Sequence, residues 1–446
     1  MKQTPLAKHL TTLALLITMT LPSIANAQPK AETDAEGASE AEPAFEFDAR
    51  IRPRGELRTG RDFGLPAADL RTGAPGLGDL FTLQSRLGVT AKKGALSGRF
   101  LIQHAAIWGS TGGGALTQPP LNIAHAWATY QTSEQLSFTM GRFALSYGDQ
   151  RVLGAVGWNQ NTRSWDGLKA TYTPRAGVKA DVFAARGSDG FVTGNTSGPS
   201  PIFDGDAILV GTYTSLGGLM GSALDPLDVY VLGDLVLEDL ANDNENPRQL
   251  LTMGALAKGK WGLIDATVEG AYQLGSQCQT GLASPVCSAD SDNVSAYFAD
   301  GELGATVMKA PALRVFVAGS IASGDDPDTD TIESYRHLYP TAHKFLGRTD
   351  VVGPRSNVIE ARAGASLKAG AFSLRESVHY FQRIQPESER LGVELDTTLG
   401  YKISDELTLG AGHGIFIPGP AVSLSSTTPD QLHNWFYIQA VASWGK

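Results

Sequence analysis

Three arginines spaced two apart, Arg50, Arg52 and Arg54, stand in the first alternating stretch of the chain. Residues two apart on an extended strand share a face, so this spacing stacks three guanidinium groups in one column. Arg86, Arg362 and Arg375 occupy comparable positions later, with Glu360 two residues before Arg362. In a partly desolvated constriction such groups attract anions and grip carboxylates bidentately. Paired with acids such as Glu360, the same column would be a salt-bridge ladder that only props a wall. A second cluster, Arg142, Asp149, Arg151, Arg163 and Asp166, lies in the stretch GRFALSYGDQRVLGAVGWNQNTRSWDG. Its composition suits a segment that folds inward and narrows a pore.

Other residue types carry less. Asp325, Asp326, Asp328 and Asp330 offer oxygen ligands at a spacing that could hold Ca²⁺. They lack the Gly and distal Glu of an EF-hand loop, which favours a solvated acidic loop and no metal. Cys278 and Cys287 sit close together, and in an oxidising compartment they would form a disulfide that pins a loop. A barrel hydrolase would need a His and a Ser two apart on one face, and no His is followed by Ser at the second position. No G-x-S-x-G elbow, H-E-x-x-H zinc helix or nucleotide motif occurs, so neither an enzyme nor a cofactor is expected.

The elements that must position these residues are strands. Phe45, Phe47 and Ile51 alternate with Glu46, Asp48, Arg50 and Arg52, and the signature recurs about eighteen times over segments of about ten residues. That is the length a tilted strand needs to cross a bilayer. The connections alternate long and short along the chain, as the extracellular loops and periplasmic turns of a transmembrane barrel do. The connections near 385–390 and 216–225 fit that alternation poorly. The expected fold is all-β: a transmembrane antiparallel up-and-down barrel of about 18 strands over residues 45–446. Trp108, Tyr130, Trp261, Tyr401 and Trp435 fall near strand ends, where an aromatic girdle belongs.

Residues 1–27 read as a secretory signal peptide, with Lys2 and Lys8, an apolar run from Leu10 to Leu21, and Ala25-Asn26-Ala27 as a cleavage site. Residues 28–44 read as a disordered acidic linker. The chain has 36 Lys+Arg against 46 Asp+Glu, a formal net charge of −10, which argues against a nucleic-acid partner. Together these features place the protein in the outer membrane, in contact with its lipid, as a monomer.

Two stretches resemble the alginate-export family of outer-membrane barrels. The first contains Gly141-Arg142, Tyr147-Gly148-Asp149-Gln150-Arg151 and Arg163-Ser164-Trp165-Asp166-Gly167. The second contains Ser323-Gly324-Asp325 and Tyr339-Pro340-Thr341-Ala342-His343, with Gly347 and Asp350. Tyr380-Phe381 looks like a later strand signature of the family. The resemblance implies an 18-stranded barrel with an Arg-rich lumen that passes an anionic polysaccharide outward, fed by a periplasmic export scaffold. The expected function is passive diffusion of alginate or a similar uronate glycan through an Arg-lined pore. A general or small-anion uptake porin and a plugged surface-binding barrel are the alternatives.

Overall fold

In the computed structural model the described residues are 42–60, 77–108, 121–187, 207–218, 221, 224–236, 248–277, 292–422 and 432–445. The expected signal peptide, nearly all of the linker, and both Cys278 and Cys287 lie outside them.

The strands are β1 (Ala44–Thr59), β2 (Leu77–Lys93), β3 (Leu96–Ile107), β4 (Leu121–Gln131), β5 (Leu136–Phe143), β6 (Trp165–Arg175), β7 (Val178–Gly187), β8 (Ile208–Leu216), β9 (Leu224–Val236) and β10 (Arg248–Trp261). They continue as β11 (Ile264–Gln277), β12 (Asp292–Lys309), β13 (Ala312–Ala322), β14 (Thr331–Ile332), β15 (Val358–Ala369), β16 (Phe372–Arg383), β17 (Glu389–Lys402), β18 (Leu407–Pro418) and β19 (His433–Trp444). Eighteen of them form a closed antiparallel barrel in which consecutive strands pair. The two-residue β14 lies inside the connection between β13 and β15 and pairs in parallel with β12. The ring closes between β1 and β19, with Ala49 opposite Trp444 and Thr59 opposite Asn434. Closure removes both sheet edges, so the backbone pairs internally where no water is available.

The period-two pattern sorts the side chains. Phe45, Phe47, Ile51 and Leu57 are exposed on the outer face of β1, whereas Arg52, Arg54 and Glu56 are buried inside. On β5, Phe138 and Met140 face outward while Thr139 and Phe143 face in. No helix among the described residues is long and apolar enough to cross a membrane; the strands do this. Several periplasmic turns have two residues, and Gly94, Gly262 and Gly370 open three of them at φ of +56°, +64° and +58°. This is the left-handed first position of a tight hairpin turn. The two poorly fitting connections persist, as a long periplasmic turn at 217–223 and a short extracellular loop at 384–388. Trp108, Tyr130, Trp261 and Tyr401 are exposed near strand ends. Trp435 departs from the girdle: it points inward, is buried, and donates its Nε1–H to Glu56 at 3.0 Å.

Candidate functional site

Two long loops fold into the lumen and join across it. One is 144–164, between β5 and β6; the other is 323–357, between β13 and β15. Eight barrel strands separate their roots on one side and ten on the other, so they start from nearly opposite walls. Where they meet, Gly154 N–H donates to Tyr339 O at 2.8 Å, Tyr339 N–H to Val152 O at 3.0 Å, and Thr341 N–H to Gln150 O at 3.0 Å. Arg163 pins the junction. Its buried guanidinium donates to Gly154 O at 3.1 Å, to Pro340 O at 3.0 Å and to Tyr339 O. Trp165 packs edge-on against Tyr339 with ring centroids 4.8 Å apart.

The barrel wall clamps this bridge with its inward polar residues. Arg52 donates to Gly157 O at 2.8 Å, Asn159 O at 2.7 Å and Gln160 Oε1 at 2.8 Å. Arg54 donates to Trp158 O at 2.8 Å, pairs with Glu56 at 2.8 Å, and lies 4.0 Å over the Trp158 ring. Gln103 holds Asn161 at 2.8 Å, and Gln84 donates to Gln160 O. On the other side Arg151 reaches Asp149 at 2.9 Å, Glu269 on β11 at 3.4 Å and Asp300 on β12 at 2.8 Å. Lys258 on β10 also holds Asp149. Burial alone would raise the Asp149 carboxyl, but the Lys258 and Arg151 charges bring it below the usual range.

The second loop is held as tightly. Tyr339 Oη donates to Asp234 at 2.7 Å, and Arg248 pairs with the same carboxylate at 2.7 Å. Thr349 donates to Glu394 through its N–H at 2.8 Å and its hydroxyl at 2.7 Å, and Arg348 N–H reaches Asp396 at 3.1 Å. Gly347 is required there: its φ is +85°, and a Cβ would strike the Glu394 carboxylate. His343 stacks on Trp158 at 4.3 Å, which ties the two loops a second time.

The segment expected to fold inward is loop 144–164, and Arg52, Arg54, Asp149, Arg151 and Arg163 are engaged in holding it. All five sit inside the barrel, but they anchor the bridge and do not line open space. Arg142 and Asp166 are corrected. They pair at 2.6 Å on the outer face, because Arg142 shares the parity of Phe138 and Met140, and Asp166 that of the exposed Leu168. In the acidic run Asp325 accepts the Glu333 N–H at 2.8 Å and Asp326 the Asp328 N–H at 3.0 Å. Among the described residues no three His, Cys, Asp or Glu are placed to hold a metal ion.

The remaining arginines are the ones left toward the lumen. Arg50 and Arg86 face each other directly across β1 and β2. Arg86 donates to Gln103 at 2.9 Å, while the Arg50 guanidinium makes no ion pair among the described residues and its Nε is unpartnered. Arg99 points inward and pairs with Asp48 at 2.7 Å. On β13, β15 and β16, Arg314, Arg362 and Arg375 converge on Glu302 at 2.9, 3.4 and 3.9 Å. Arg362 also pairs with Glu360 at 3.0 Å. Arg375 lies over Phe316 at 4.3 Å and keeps 41% of its side chain exposed. Arg348 is close enough for its charge to act on Arg375.

Sequence reasoning missed Glu56, Glu269, Asp300, Glu302, Arg314 and Arg348. The first five share the inward parity of their strands, a signal that was available; Arg348 is placed by the loop alone. It also missed Ser377, which precedes His379 by two. His379 Nε2 lies 2.9 Å from Ser377 Oγ, and Nδ1 lies 2.6 Å from Glu360. Asp396 approaches the same Nε2 at 3.4 Å, so the imidazole is bracketed by two carboxylates and ties three strands together.

A family model described as alginate export matches residues 117–391, more than half of the chain. No curated protein matches by sequence. Among solved structures, Pseudomonas aeruginosa OccK9 (OpdG) is similar at a TM-score of 0.60 and 10% identity, covering 90% of this chain and 98% of its own. P. aeruginosa OpdK with vanillate is similar at 0.57 and 10% identity, covering 90% and 99%. A BenF-like porin from Pseudomonas fluorescens Pf-5 is similar at 0.59 and 10% identity, covering 90% and 98%. At such identity these likenesses establish the shared fold.

Proposed function

This chain belongs to the alginate-export family, and on that premise we propose that its outer-membrane barrel conducts a carboxylate-bearing glycan, alginate or a similar uronate polymer, by passive diffusion. The observation that carries the reading is the uneven pairing of lumenal charge. Asp48, Asp265, Glu302 and Glu360 each have a guanidinium partner. Arg50 has none among the described residues, and Arg375 has only a 3.9 Å contact. The acids near the bridge, Asp234, Glu269 and Asp300, are buried under it. Among these groups the spare hydrogen-bonding capacity belongs to Arg50 and Arg375.

A uronate carboxylate entering the lumen would exchange its water for a guanidinium fork. Such charge-assisted bonds contribute about 1.5–3 kcal/mol each. Conduction needs sites strong enough to admit and weak enough to release. Arginines already engaged by Glu302 meet that need, because substrate and Glu302 compete for the same donors. The gradient supplies the driving force.

A small-carboxylate porin is the second reading. The closed bridge favours it, since two loops pinned by Arg163 narrow an 18-strand lumen, and a similar barrel was solved with vanillate. Planar-bilayer current separates the two. Oligo-uronates of increasing length should block at decreasing concentration if a polymer threads the pore. Length-independent block would favour the small-anion porin.

A further inference from the structure

The lipid-facing wall of β16 to β18 carries three polar side chains in one row. Glu376 on β16 is the register partner of Thr397 on β17, and Thr397 is that of His413 on β18. Glu376 shares the outward parity of the exposed Val378, Thr397 that of Leu395 and Leu399, and His413 that of Leu409. Glu376 is itself exposed, and Thr397 and His413 are half-buried. None of the three makes a hydrogen bond or ion pair among the described residues.

The depth of the row matters. Phe372 and Leu407 mark the periplasmic ends of β16 and β18. At about 3.3 Å per residue and a tilt of about 40°, Glu376 stands about 10 Å and His413 about 15 Å above them. The apolar band of such barrels is about 25 Å tall, so the row crosses its middle, below the reach of lipid headgroups. An ionisable side chain at that depth is costly unless it meets a partner, and hydrocarbon offers none.

The row is complementary to a second copy of itself. Neighbouring strands lie about 4.8 Å apart, so Glu376 and His413 stand about 10 Å apart on one wall with Thr397 between them. A two-fold axis along the membrane normal beside Thr397 sets Glu376 of one copy against His413 of the other, and the reverse. Their heights differ by about 5 Å, which extended Glu and His side chains span together. A carboxyl and an imidazole share a hydrogen bond whichever of them holds the proton. Ala365, the register partner of Glu376, and Ala411, on the outward face of β18, are small and let two walls approach.

We infer that β15–β18 form the interface of a two-fold dimer of this chain within the membrane, joined by reciprocal Glu376–His413 hydrogen bonds, in place of the monomer expected from the sequence. A two-fold contact places the same patch on both subunits and requires it to be self-complementary, which a carboxyl and an imidazole on either side of one axis are. This inference rests on the barrel's place in the membrane and not on what the lumen conducts.

The test is oxidative cross-linking of the full-length barrel in lipid bilayers, with copies counted by single-molecule photobleaching. Thr397→Cys, beside the axis, should give a band of doubled mass on a non-reducing gel. Val229→Cys, exposed on β9 seven barrel strands away, should give none above the wild-type background. Wild type should bleach in two steps. Glu376→His sets two imidazoles against each other and should weaken association roughly tenfold, and Glu376→His/His413→Glu should restore it. The conductance of each barrel should stay at the wild-type level in every variant, which shows that each is folded. Cross-linking of Thr397→Cys no stronger than that of Val229→Cys, single-step bleaching of wild type, or undiminished association in Glu376→His would each overturn the inference.

Discussion

Arg163 donates to the carbonyl of Pro340 at 3.0 Å, and that bond joins two loops rooted on nearly opposite walls of the barrel. Through it and its neighbours the lumen is crossed by a fixed bridge. The bridge buries Asp234, Glu269 and Asp300 on β9, β11 and β12 and is clamped from β1 by Arg52 and Arg54.

Arg163→Ala should release the bridge. The Gly154 and Pro340 carbonyls lose the Arg163 donor, at about 1–3 kcal/mol for each that stays buried, while Tyr339 O keeps the Gly154 N–H. The expected result is a larger and noisier single-channel current with the barrel itself still heat-resistant. Arg163→Lys, a point charge without the fork, should fall between the two.

Arg52 and Arg54 should behave differently from Arg50, Arg86 and Arg375. Arg52→Ala/Arg54→Ala removes the anchors of residues 157–160, so conductance should rise with a modest change in selectivity. Arg50→Ala/Arg86→Ala/Arg375→Ala should lower anion permeability relative to cation permeability and leave the bridge in place. Reversal potentials under a salt gradient check both.

The loop 323–357 should loosen in mild acid. Burial first, and the Arg355 and Arg163 charges second, hold the His337 imidazole well below its ordinary value. Held neutral, its Nδ1 accepts the Arg355 N–H at 2.9 Å. Once detached, the loop would take up a proton on His337 below about pH 6.5. The detached state then binds more protons, so loop stability is complete above that pH and declines below it, by up to about 1.4 kcal/mol per unit. The protection factors of the loop amides, each taken relative to the intrinsic exchange rate at that pH, should therefore fall between about pH 6.5 and 5.5, and His337→Gln should remove that slope.

Cys278 and Cys287 should be inert to thiol reagents in the denatured, unreduced protein and should label after reduction. Labelling without reduction would mean that the pair is not bridged.

The strands were legible because side-chain direction on a strand has a period of two and lipid demands apolar residues at every second position. The same parity foretold that Arg50, Arg52 and Arg54 face inward. It also showed Arg142 facing outward, since Phe138 and Met140 share its phase. Grouping Arg142 with Asp149 by composition hid that signal. The bridge was not legible. Arg52 meets Gln160 across 108 residues, and Arg163 meets Pro340 across 177. No local spacing records which carbonyl a distant guanidinium will find. Asp325 and Asp326 accept N–H groups of their own loop, a local use that shares its spacing with ligand sets.

The most direct measurement is single-channel conductance of the refolded barrel with oligo-uronate added, in wild type and in Arg50→Ala/Arg86→Ala/Arg375→Ala. An anion-selective pore blocked by oligo-uronate, with both properties weakened in the variant, is the expected result. A pore indifferent to uronate, or one equally selective without these three arginines, would contradict it.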